Sequence, residues 1–197
     1  MKKNLILLVV SIFLIFKSNY SFSIEPDVFI QSTVNRAAQT LSSDLTKDER
    51  VEELKNIAIQ TVDIEGISLY SLGSYRKIIT NDQLLRYKKV FKNYFLKSFS
   101  SRLAEYSNPE IDVYAKKKIN DNYTIVSSKL MGTDKRPEVN IDWRVYTKNP
   151  ENLLIRDLII EGLSLARTQK EEFSSIISSN DNDIEALIQS LNNFSEQ

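Results

Sequence analysis

The chain has 197 residues, with 26 basic and 26 acidic side chains and neither cysteine nor histidine. That double absence removes disulfides, thiol nucleophiles, Ser-His-Asp triads and the usual zinc sites together, leaving carboxylate pairs, Lys, Tyr or a Ser-Lys dyad as routes to catalysis. No spacing favours any of these, so no catalytic residue and no metal ligand is assigned. The charge balance offers nothing to nucleic acid.

Residues 1–23 read as a secretory signal. Lys2 and Lys3 form its charged start, Leu5–Phe16 is an apolar run too short to cross a bilayer, and Ser21 and Ser23 supply the small residues before a cleavage point at Ile24. No cysteine stands at that point to carry a lipid; an uncleaved anchor is the alternative reading. Residues 24–197 then form one domain. Without Lys2, Lys3 and Lys17 this domain carries 23 basic and 26 acidic residues, a net charge of −3. An exported chain without cysteine is held together by its core alone.

Asp27, following Pro26, is placed to cap a first helix with apolar positions Ile30, Val34, Ala37, Ala38 and Leu41. Thr46 and Glu49 make a capping box for a second, whose apolar side holds Val51, Leu54, Ile57, Ala58 and Val62. Asp63 begins a short third helix that Gly73 ends in a left-handed turn. Thr80 and Gln83 form another capping box for the longest helix, roughly 81–106. Its wide arc of Leu84, Tyr87, Phe91, Tyr94, Phe95, Phe99, Leu103 and Tyr106 predicts a core helix, part of which lines a cavity; Arg102 falls on the same arc.

Asn108-Pro109 stops that helix, and four strand-like segments follow: 111–119, 123–131, 139–146 and 153–161. The third alternates cleanly, Val139, Ile141, Trp143 and Val145 against Asn140, Asp142, Arg144 and Tyr146. Short linkers predict an antiparallel meander. The Lys116–Lys118 run suits a solvated strand edge. In the fourth segment the parity stays open, since Leu158 and Ile160 share a face with Arg156 while Ile159 shares one with Asp157 and Glu161. Gly162 breaks this strand, Ser164 or Thr168 caps a helix carrying Phe173, Ile176 and Ile177, and a last helix near Asn182-Asp183 carries Ile184, Leu187, Ile188, Leu191 and Phe194. The fold class is therefore α+β: N-terminal helices, a four-stranded antiparallel sheet and C-terminal helices enclosing an apolar cavity.

The stretch 155–173, with Glu161-Gly162, Leu163-Ser164-Leu165 and Arg167–Phe173, resembles the MlaC-type toluene-tolerance proteins. So do 62–66 before Leu72-Gly73-Ser74-Tyr75, Val139–Trp143, and the closing Asp183–Leu191 helix. The chain departs from the family in having Asn182 where a glycine is common and only Tyr75 where an aromatic pair is common. The resemblance implies an NTF2-like, cystatin-like fold and a monomeric periplasmic phospholipid carrier with no cofactor. It also implies two partners, an inner-membrane ABC transporter with an MCE subunit and an outer-membrane lipoprotein complex, and a role in outer-membrane lipid asymmetry. Phe91, Phe95, Phe99, Val139, Ile141, Trp143, Leu158, Ile160 and Phe173 are expected around the acyl tails, with Arg102 as a possible headgroup contact. A hopanoid or other polycyclic cargo is the alternative ligand. The rival classes are a non-catalytic adaptor or chaperone, and an NTF2-like enzyme using Asp142 or Asp157.

Overall fold

The computed structural model describes residues 24–134 and 136–196. The expected signal, residues 1–23, lies outside them. Four helices come first: α1 Pro26–Leu41, α2 Lys47–Thr61, α3 Ile64–Ser71 and α4 Asn81–Leu103, with a 3-10 turn Gly73–Lys77 before α4. Then come β1 Ile111–Asn120, β2 Tyr123–Leu130, β3 Val139–Tyr146, β4 Leu154–Ile160 and β5 Leu163–Ser164, followed by α5 Leu165–Ser178 and α6 Ile184–Glu196.

Local chemistry sets most helix starts. Thr46 accepts from the Glu49 N–H while Glu49 reaches back to the Thr46 N–H, and Thr80 and Gln83 repeat the arrangement. Asp63 accepts from the Gly66 N–H at the head of α3. α1 differs from expectation. Its N-cap is Glu25, with Pro26 in the first turn and no side-chain cap. Asp27 lies inside the helix and binds Lys116 instead, at 2.8 Å, so proline's fixed φ does the work assigned to a capping carboxylate. α4 ends at Leu103 rather than near Tyr106. Gly73 does take a left-handed φ of 56°.

Among the described residues the sheet has five strands in the order β1-β2-β3-β4-β5, all antiparallel. The fold is the α+β meander expected, with one strand more than the four read from the pattern. β5 is two residues long and pairs with the end of β4 through the Glu161-Gly162 turn, whose residues have φ of 47° and 83°. So short a strand leaves no alternating signature. One sheet face is buried beneath the helices, where Val126, Ser128, Ile141, Trp143 and Val145 sit; the other faces water. Trp143 donates its indole N–H to Ser128 Oγ at 2.8 Å, so the largest ring on this face leaves no orphaned donor.

The register settles the fourth strand. Ile141 faces Ile160 and Trp143 faces Leu158, but the ladder then slips between Arg144 and Val145, so that Val145 faces Ile155. This bulge keeps Ile155, Leu158 and Ile160 on one face although their numbers differ in parity. Arg156 leaves that face. Its guanidinium lies 3.7 Å from the Tyr146 ring centroid and bonds Asp63 Oδ2 at 2.6 Å and Tyr123 Oη at 2.8 Å.

The core lies between the buried sheet face and α1, α4, α5 and α6. Tyr87, Phe91 and Phe173 form its aromatic centre, with Phe173 edge-on to both partners at 6.4 and 6.1 Å. α6 packs along α4, and α5 closes over α3 and β4.

Candidate functional site

Among the described residues, the side of β4 away from β3 is covered at its two ends only. Val62 makes a single parallel bridge to Ile155, with the Asp63 N–H donating to the Ile155 carbonyl at 2.9 Å. β5 covers Ile159 and Ile160. Between these covers, α4 and the start of α5 stand off the strand and leave a cavity of about 220 Å³.

Its wall is built from four pieces. α4 contributes Phe91, Tyr94, Phe95, Ser98, Phe99 and Arg102, residues three or four apart that fall on one arc. β4 contributes Ile155, Asp157 and Leu158; α5 contributes Leu165, Ala166, Thr168, Gln169 and Glu172; Val62 and Ile67 close the far side. Phe95 stacks on Phe99 with centroids 5.6 Å apart and on Phe91 at 6.1 Å, giving a continuous aromatic wall. The cavity has a direction. Val62, Ile67, Phe91 and Ile155 are buried, whereas Leu165, Arg102 and Glu172 are exposed, so the mouth lies where α4 ends and α5 begins.

The polar groups in the wall are mostly engaged. Tyr94 donates its hydroxyl to Gln169 Oε1 at 3.0 Å. Burial pushes this phenol above its ordinary value, and the Gln169 bond opposes that in part. Asp157, 5% exposed, accepts from the Ser164 hydroxyl at 2.7 Å and the Ala166 N–H at 3.0 Å, with Arg144 at 3.9 Å. Its charge sits at the head of α5, where the helix favours an anion. Asp157 thus ties the first turn of α5 to β4, and Ser164, which caps that turn, completes the tie. Asp142 accepts from Ser127 at 2.6 Å on the other sheet face. Each carboxylate thus holds a serine hydroxyl, and that of Ser164 is engaged a second time, accepting from the Arg167 N–H at 3.1 Å as the cap of α5. Among the described residues no cluster suited to a metal ion occurs, and no helix is long and apolar enough to cross a membrane.

Residues 31–193 match the family model described as MlaC protein. The chain belongs to the MlaC family. A curated relative of this MlaC chain is the toluene tolerance protein ttg2D of Pseudomonas putida, 23% identical over 146 residues that make up 70% of this chain and 63% of that protein. The chain therefore spans somewhat less than two thirds of the relative's length. A solved phospholipid-binding protein from Ralstonia solanacearum, in complex with a phospholipid, superposes with a TM-score of 0.74. The match covers 88% of this chain and 98% of that one at 19% identity, which establishes a shared fold.

Of the ten residues expected at the lipid site the MlaC cavity gathers five, Phe91, Phe95, Phe99, Leu158 and Arg102, and Asp157 from the enzyme reading also lines it. Ile141, Trp143 and Phe173 are packed in the core outside the lining, Val139 is half-buried against that core, and Ile160 is half-buried outside the lining. The alternation of β3 signals burial, but it does not say whether the buried face meets side chains or a hollow. Sequence reasoning missed Val62, Ile155 and the whole first turn of α5. Only Val62 had a usable signal, as the last apolar position of α2 next to a helix-capping aspartate.

Proposed function

We propose that this protein is a periplasmic carrier that holds a phospholipid by its acyl tails in the cavity between α4, α5 and the edge of β4, with residues 1–23 as export signal and residues 24–197 as the carrier domain. The observation that carries the reading is a cavity closed at one end by apolar side chains and rimmed at the other by Arg102 and Glu172. A tail needs the first and a headgroup tolerates the second. The family membership and the phospholipid in the complex from Ralstonia solanacearum support it. A binding protein needs no catalytic group.

Burying a methylene is worth about 0.8 kcal/mol, so two sixteen-carbon tails would cost roughly 25 kcal/mol to leave in water. At about 220 Å³ the cavity is smaller than the 300–1,000 Å³ typical of small-molecule sites, so entering tails must part α5 from the aromatic wall of α4. Phe95, Phe99 and Leu158 then contact the tails directly, and Arg102 stands where a phosphate emerges. Release requires partners that stabilise the parted state. The partners we propose are an inner-membrane ABC transporter with an MCE subunit and an outer-membrane lipoprotein complex, between which the protein shuttles lipid to maintain outer-membrane asymmetry. A vesicle transfer assay tests the carrier step: a labelled phospholipid should move from donor to acceptor vesicles faster with the protein present, and an unchanged rate would reject it. Cell fractionation tests location, where a cytoplasmic protein retaining residues 1–23 would reject export.

A further inference from the structure

Val62 is the wall between two hollows. On its inner side is the closed end of the cavity, where it stands beside Ile67, Phe91 and Ile155. On its outer side is an open surface concavity of about 490 Å³, where Ile59, Ile64 and Leu154 lie among polar and charged residues that include Glu65, Lys88 and Lys92. The side chain is 7% exposed, and its backbone is fixed. It bridges to Ile155, the next residue donates its N–H to the Ile155 carbonyl, and Asp63 binds Arg156 on the same strand at 2.6 Å. Val62 thus lines both hollows from an anchored backbone.

We propose, resting on the carrier reading, that Val62 is the end stop of the tail cavity and selects cargo by acyl-chain length. A tail shorter than the distance from the mouth to Val62 leaves cavity surface unfilled. A longer one must leave its excess methylenes outside, or push against a residue that main-chain bonds and an ion pair hold in place. Trimming Val62 opens the pouch into the outer concavity, whose apolar residues can take the end of a longer tail. Enlarging it shortens the pouch.

The test incubates the full-length protein with vesicles of phosphatidylglycerols whose tails run from about twelve to about eighteen carbons, a span wide enough for single-methylene preferences to accumulate. The protein is re-isolated and its lipid read by mass spectrometry. Val62→Ala is expected to shift the bound distribution to longer tails, each added methylene raising relative occupancy about fourfold, equivalent to about 0.8 kcal/mol. Val62→Phe is expected to shift it to shorter ones, with Val62→Ile as the milder variant should Val62→Phe not fold. Ile59 is 47% exposed and lines the outer concavity but not the tail cavity, so Ile59→Asp leaves the wild-type distribution unchanged but cancels the gain of Val62→Ala. Folded variants that all keep the wild-type distribution would overturn the end stop while leaving the carrier intact. Long tails persisting in the Val62→Ala, Ile59→Asp double variant would show that tails do not pass this way. A wild type that takes up no phospholipid removes the carrier reading and the end stop with it.

Discussion

Phe95 and Phe173 separate wall from core. Phe173 is 1% exposed and edge-on to Tyr87 and Phe91. Truncating such a ring costs about 3–5 kcal/mol, and the lost edge contacts place it toward the upper end. Against a total stability of about 5–15 kcal/mol, and at about 2–4 °C of melting temperature per kcal/mol for a domain this size, Phe173→Ala should lower the melt by about 10–20 °C. Phe95 is half-buried and lines the cavity, so its truncation enlarges an existing hollow and should cost roughly half as much. Phe95→Asp goes further. Acyl tails cannot solvate a carboxylate, whereas water entering the hollow can, so the variant should fold but lose its lipid. The same change at Ile141, buried on the sheet face outside the lining, should unfold the protein. The assay is lipid content per mole beside a circular-dichroism melt. Full lipid occupancy in Phe95→Asp, or a wild-type melt in Phe173→Ala, would refute this division.

Removing the Asp157 carboxylate orphans the Ala166 N–H and the Ser164 hydroxyl, so Asp157→Ala should lose about 1–3 kcal/mol in urea unfolding, with hydrogen exchange fastest in the first turn of α5. Thr80→Ala breaks the capping box of α4 and should cost about 1 kcal/mol in the same measurement. Glu185 is held below the ordinary carboxylate value first by its hydrogen bonds from Arg86, with burial opposing and Gln83 assisting. Its folded value lies below its unfolded one, so its contribution is complete above the ordinary range and fades as pH falls through the folded value. Between pH about 5 and about 3 the wild type should therefore lose more stability than Glu185→Gln, and parallel pH–melt curves would contradict this.

What could be read in advance was whatever a few neighbouring residues decide. The pairs Thr46–Glu49 and Thr80–Gln83 are complete capping units in themselves, and the alternation of β3 needs only its own eight residues. The helix α1 was legible but its cap was not, because Glu25 caps it without a side-chain bond, while the obvious candidate, Asp27, is taken by Lys116, a residue far along the chain. The parity of β4 depended on a bulge, and a bulge is a property of two strands in register. The cavity was half visible for the same reason. Helical spacing alone puts Phe91, Phe95, Phe99 and Arg102 on one arc, but the facing wall is assembled from Val62, Ile155 and the turn after Ser164, which meet through long-range pairing. A buried apolar residue has the same sequence signature whether it meets another side chain, as Trp143 and Phe173 do, or a hollow, as Phe95 does.

The most direct measurement is organic extraction of the exported, purified protein followed by mass spectrometry of the extract. The account predicts a diacyl phospholipid released in stoichiometric amount from the wild type and lost from Phe95→Asp. A folded wild type that yields no lipid, or that yields only a polycyclic one, would contradict it.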